Sequence, residues 1–177
     1  MNPTILIAGV GNIFLGDDAF GVEVALSLAS RQLPKNVKVR DFGIRGFDLA
    51  YTLLDPWDAV VIVDALSRGE APGTLFVFEP NLAGLGDLSS PDMVMNPHGM
   101  DPTRVLNLAA SMGTISAQIL ILGCEPNDFG DELDGRMGVS PAVQGSVEEA
   151  ANMVESLVER LLAAKSLHSM QLQSVER

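Results

Sequence analysis

Ile5-Leu6-Ile7-Ala8-Gly9-Val10-Gly11-Asn12-Ile13-Phe14-Leu15-Gly16-Asp17-Asp18-Ala19-Phe20-Gly21-Val22 is the stretch that decides the fold of this chain. A short apolar run breaks at two glycines, crosses an apolar loop and ends in two adjacent carboxylates where a helical pattern begins. That order predicts strand, turn, helix. Open α/β sheets place their ligands at the carboxyl ends of parallel strands, which is where this turn falls. A dinucleotide-binding turn would need a third glycine where Phe14 stands, and a phosphate loop would need Gly-Lys-Ser/Thr after Gly16. Neither pattern is present, and Asp17 and Asp18 would repel a phosphate at the helix N-terminus. The pair suits a metal ion or a proton. The same two residues also read as a helix start, one capping it and the other adding favourable charge near the dipole. Capping by Asp17 would still leave Asp18 free to face a cleft.

Composition sets the wider limits. The 177 residues fit one domain with a substantial core. Hydrophobic content of 47% against 19% charged residues argues for a globular chain. No apolar run reaches the length of a membrane span, and no basic region with a cleavage site follows Met1. Cys124 is the single cysteine, so an internal disulfide is impossible, which fits a reducing, cytoplasmic setting. A net charge of −12 disfavours nucleic acid and anionic membrane surfaces as partners.

Outward from the opening turn, Val22, Ala25, Leu26, Ala29 and Leu33 repeat at helical spacing, predicting a helix over 18–32 that Pro34 closes. Val37 to Phe42 alternates as a half-buried strand and leads into a second glycine loop, Gly43-Ile44-Arg45-Gly46, before a short helix ending at Asp55-Pro56. Ala59-Val60-Val61-Ile62-Val63 reads as a buried central strand, with Asp64 at its end. A carboxylate there must find water or a partner. Thr74 to Phe78 follows too closely for a crossover helix, so it is expected as an antiparallel edge strand. The stretch 79–97 reads as a long loop and places His98 just ahead of a helix that Asp101 caps and Pro102 opens. Ala117 to Gly123 gives the last strand, with Cys124 beyond it as a buried small hydrophobe rather than a nucleophile. Ser140-Pro141 starts a final helix by the same cap-and-proline device, with apolar period to about Ala163. The expected architecture is three-layer α/β/α, with a mostly parallel sheet of about five strands and one antiparallel edge. Its domain is expected over 1–163, with 164–177 as a flexible tail.

Such a fold can gather Asp18, Asp64 and His98 from three loops at one end. Two carboxylates and an imidazole suit a borderline divalent ion such as nickel or zinc, and three ligands leave coordination positions open. The turn from Gly9 to Val22, the Val63-Asp64-Ala65 strand end and Asn96-Pro97-His98 together resemble the signature of the hydrogenase maturation proteases. The likeness extends through 41–46 and Gly138-Val139-Ser140-Pro141. It implies an endopeptidase that removes a C-terminal peptide from the large-subunit precursor of a nickel-iron hydrogenase once nickel is in place. It also implies that Asp18, Asp64 and His98 contact that metal and carry the catalysis. The nickel would arrive with the substrate, and zinc or another divalent ion would be able to occupy the site in vitro. An ion so held polarises a scissile carbonyl or lowers the pKa of a water molecule. Asp17 stands as an alternative base. Gly43, Arg45 and Gly46 are expected to touch the substrate, and the 81–96 loop to help choose the precursor. A metal-binding accessory or chaperone-like protein without peptidase activity is the competing reading of the same three residues.

Overall fold

The computed structural model describes residues 3–83, 85–86, 101–130 and 135–175, with side chains described to residue 164. His98 and most of the 81–96 loop therefore lie outside the described residues. Five strands form one sheet: β1 (Ile5–Val10), β2 (Val37–Gly43), β3 (Ala59–Ala65), β4 (Leu75–Phe78) and β5 (Gln118–Cys124). Their order across the sheet is β2-β1-β3-β5-β4. All neighbours are parallel except β4, which runs antiparallel to β5 as the expected edge strand.

Helices α1 (Phe20–Ala29), α2 (Gly46–Thr52), α3 (Pro102–Met112) and α4 (Pro141–Val175) cover both faces. Side chains alternate across a strand, so β1 and β3 feed two cores. Ile5, Ile7, Val61 and Val63 pack with Val24 and Leu28 of α1 and Val143, Val147 and Val154 of α4. Leu6, Ala8, Val60 and Ile62 pack with Leu49 of α2 and Val105 and Leu106 of α3. The β-branched run of β3 is buried along its whole length because both faces are covered.

Helix α1 lies against the strands closely enough that two glycines are required. A Cβ on Gly21 would stand 2.1 Å from the Val63 carbonyl oxygen and 2.3 Å from that of Val10, while one on Gly9 would stand 2.3 Å from the Gly21 carbonyl. Helix α4 departs from expectation by continuing past Ala163 to Val175. The reason is local: beyond the last apolar repeat the sequence AKSLHSMQLQSV contains no glycine or proline and several good helix formers. Among the described residues no helix is long and apolar enough to cross a membrane.

Candidate active site

Strand β1 has β2 on one side and β3 on the other, so the chain reverses its direction of winding between β1 and β3. The crevice outside the carboxyl ends of those strands is where doubly wound sheets bind ligands. Asp18 follows β1 and Asp64 is the penultimate residue of β3, which brings both acids to this crevice.

The β1–α1 turn is wound tightly. Gly11 has φ +134°, and its Cβ position is occupied by the Asp18 carbonyl oxygen at 1.7 Å, so only glycine fits. The expected helix over 18–32 is instead a 3-10 turn, Gly16–Ala19, followed by α1 proper, and Leu15 at its start supplies no side-chain cap. This geometry turns Asp18 back toward the strand end, where its Oδ2 accepts the Asn12 N–H at 2.6 Å. Burial raises the Asp18 pKa, with the Asn12 bond working in the other direction.

Asp64 is only 4% exposed and accepts the Ala65 N–H at 2.9 Å. Burial first, then the charge of Asp18, push its pKa well above the ordinary carboxylate value; the Ala65 bond opposes them and Asp101 adds a further raising field. Asp101, expected only as a cap, does accept the Thr103 N–H at 2.8 Å at the start of α3. Its added electrostatic reach to Asp64 had no signal in the sequence. Among the described residues no group of three or more His, Cys, Asp or Glu side chains is arranged to hold a metal ion.

Asp17 has a different occupation from either role expected of it. Its oxygens accept from the Asn127 N–H at 2.8 Å, the Asp128 N–H at 3.1 Å, the Ser140 hydroxyl at 2.9 Å and the Ser140 N–H. It therefore ties the β5–α4 loop and the start of α4 to the β1–α1 turn, and it does not cap its own helix. Burial tends to raise its pKa, but the bonds from Ser140, Asp128 and Asn127 outweigh that and hold it below the usual value. A carboxylate so engaged is a poor proton acceptor. Ser140 still begins α4, since its carbonyl accepts the Gln144 N–H at 2.8 Å, but its hydroxyl serves Asp17 rather than the helix cap.

Cys124 is buried, and burial, followed by the charges of Asp17 and Glu125, pushes its thiol up to about 12. It packs as a small hydrophobe and is no nucleophile. Glu125 beside it is likewise committed, accepting from the Ser67 hydroxyl and from the Arg68 and Gly69 N–H groups that shape the β3–β4 connection.

A groove of about 390 Å³ has Gly11 to Phe14 on one wall, including the Asn12 that donates to Asp18, and Asp41 to Arg45 on the other. Gly43 bends the chain there with φ +52°, and its carbonyl accepts the Gly11 N–H at 3.1 Å. Arg45 folds back so that its guanidinium donates to the carbonyls of Phe42 and Asp41 while 60% of the side chain stays in solvent. Gly46 is buried at the start of α2.

These features define an open-sheet α/β protein with two buried or partly buried acids, Asp18 and Asp64, at its switch point. Residues 22–157 match the family model described as hydrogenase maturation protease. The hydrogenase 2 maturation protease of Escherichia coli K12 is 31% identical over 155 residues, spanning 85% of this chain and 87% of that protein. Among solved structures, the hydrogenase 2 maturation peptidase of Thaumarchaeota archaeon SCGC_AB-539-E09 superimposes with TM-score 0.66 at 29% identity, covering 88% of this chain and 98% of that one. The hydrogenase maturating endopeptidase of E. coli superimposes with TM-score 0.66 at 26% identity, over 89% and 93% of the two chains. The chain belongs to the hydrogenase maturation protease family. It is a peptidase, and the reading as an accessory protein without peptidase activity gives way.

Proposed function

We propose that this peptidase removes the C-terminal peptide from the nickel-loaded large-subunit precursor of a nickel-iron hydrogenase in the cytoplasm, with Asp18, Asp64 and His98 reading the nickel. The observation that supports the reading is the acidic pair at the switch point, in which Asp64 is buried and each carboxyl is pushed toward its protonated form. Two such groups are costly to ionise together unless a cation comes between them. Nickel carried by the precursor is that cation, so metal loading and productive docking become one event.

Carboxylate oxygens and an imidazole nitrogen suit a borderline divalent ion, and a three-ligand site leaves room for the scissile carbonyl or a water molecule. Zinc or another divalent ion would occupy the same residues in vitro. Gly43, Arg45 and Gly46, on the groove and at the start of α2, contribute to substrate contact.

The test is incubation of the purified chain with nickel-bearing and nickel-free precursor, followed by mass measurement of the released tail. Release is expected from the loaded precursor and at most slowly from the empty one. Asp64→Asn and His98→Ala are expected to stay folded and release nothing. Equal rates with and without nickel would overturn the reading.

A further inference from the structure

Asp64 lies beside Gly123 of β5, and Gly123 lies opposite Phe76 of β4, so the three stand in one row across the sheet. Residues in a row point to the same face. That face is the one α2 and α3 cover, since Ile62, Ile121 and Phe78, each two residues away along its own strand, pack into that core. Gly123 puts no side chain into the row, and the Phe76 ring takes its place: a Cβ on Gly123 would stand 2.2 Å from Cε2 of the ring and 2.6 Å from Cζ. The ring tip thus fills the side-chain position next to Asp64, one strand spacing or about 5 Å away. A glycine inside a strand marks such a close approach. The ring is itself held, because the Arg68 guanidinium stacks on Phe76 and Phe78 together, its Cζ 4.4 Å and 4.3 Å from the two centroids. The Arg68 N–H in turn donates to Glu125 at 2.6 Å.

Among the described residues the one hydrogen bond to the Asp64 carboxyl comes from the adjacent Ala65 N–H, on Oδ1. A single bond from a sequence neighbour leaves the other oxygen to be aimed by packing. We infer that Phe76, seated on Gly123 and held by Arg68, is a positioning residue for the reaction: its ring walls Asp64 on the β5 side, keeps water from that side and leaves the carboxyl facing the β1 side, where Asp18 lies. The inference rests on the assignment of Asp64 to the catalytic machinery above. Phe78 supplies the contrast. It lies opposite Ile121, whose side chain fills its own row, so Phe78 shares the Arg68 stack one row further from the acid.

The experiment measures kcat and KM on nickel-loaded precursor for the wild type, Asp64→Asn and the variants below, each shown by circular dichroism to be folded at the assay temperature. Phe76→Ala is expected to lower kcat about tenfold with KM within about threefold, whereas Phe78→Ala, an equal loss of apolar edge, keeps kcat within about twofold. Phe76→Leu, the milder lesion, is expected to fall between them. Gly123→Ala alone pushes the ring aside and is expected to lose kcat as well. Combined with Phe76→Ala it returns a methyl group to the vacated place, and kcat is expected to recover to within about threefold of wild type. Equal losses in Phe76→Ala and Phe78→Ala, or no recovery in the Phe76→Ala/Gly123→Ala chain, would reduce the ring to edge packing and overturn the inference. A rise in KM at unchanged kcat would make it a substrate contact and overturn it too. Full activity in Phe76→Ala beside an inactive Asp64→Asn overturns the positioning role and leaves the Asp64 assignment standing. Wild-type cleavage by Asp64→Asn, or a wild type that leaves loaded precursor uncut, defeats the proposed function and the inference together.

Discussion

Asp64 sits where its own charge is opposed. A carboxyl whose folded pKa is raised keeps its proton at pH values where the unfolded chain has released it. Stability from this residue therefore declines as pH rises from about 3.9, the ordinary Asp value, toward the raised folded value. Asp64→Asn keeps an oxygen for the Ala65 N–H and removes the charge. Its thermal midpoint at neutral pH is expected above that of the metal-free wild type, by about 2–4 °C for each kcal/mol recovered, with the gap closing toward pH 4. A midpoint at or below wild type across the pH series would contradict the electrostatic account. Asp17 has the opposite sign. Its depressed pKa contributes stability above the ordinary Asp value that is lost as pH falls through the folded value. Asp17→Asn turns an NH₂ group toward donors and is expected to cost about 3 kcal/mol in urea unfolding. A loss under about 1 kcal/mol would mean that its four bonds are dispensable.

At the scale of elements, the seat of α1 on β1 and β3 depends on absent side chains. Gly21→Ala puts a methyl group 2.1 Å from a backbone oxygen that cannot move without breaking the sheet, so destabilisation above about 3 kcal/mol is expected. Gly145 in α4 is exposed with nothing within 4 Å of its Cβ position. Gly145→Ala should therefore stabilise by up to about 1 kcal/mol. Denaturant midpoints of the two variants check the contrast; equal effects would mean that helix propensity, not packing, governs both. Helix α1 is also tied sideways to α4, where the Ser27 hydroxyl donates to Glu148, and Arg31 just past its end pairs with Glu148 and Glu155. The turn carrying Asp18 is thus held between the sheet below and the β5–α4 loop above.

Across the whole molecule, acidity and shape act together. A net charge of −12 makes the folded chain repel itself, and the Debye length shrinks as salt is added. Urea-unfolding stability is expected to rise between about 20 and 200 mM sodium chloride, where the screening length falls from about 20 Å to about 7 Å. A fall with salt would mean that surface ion pairs such as Arg31 with Glu148 outweigh the net repulsion.

Much of this was legible in the chain because the relevant signals are local. Alternation over Val37–Phe42, β-branching in Ala59–Val63, the glycines at 9 and 11, and the Asp101-Pro102 helix start each depend on neighbours a few residues away. They were sufficient for the strand–helix alternation, the antiparallel edge and the placing of Asp18 and Asp64 at strand ends. What only the tertiary structure decided was the division of labour between two adjacent aspartates. The donors that engage Asp17 lie 110 to 123 residues further along the chain, so no local pattern could reveal them. The field on Asp64 likewise exists only because the strand order sets β3 beside β1 and buries its end. Hydrogen-bond partners and burial are properties of packed space, and a linear pattern encodes them only where the packing is between near neighbours.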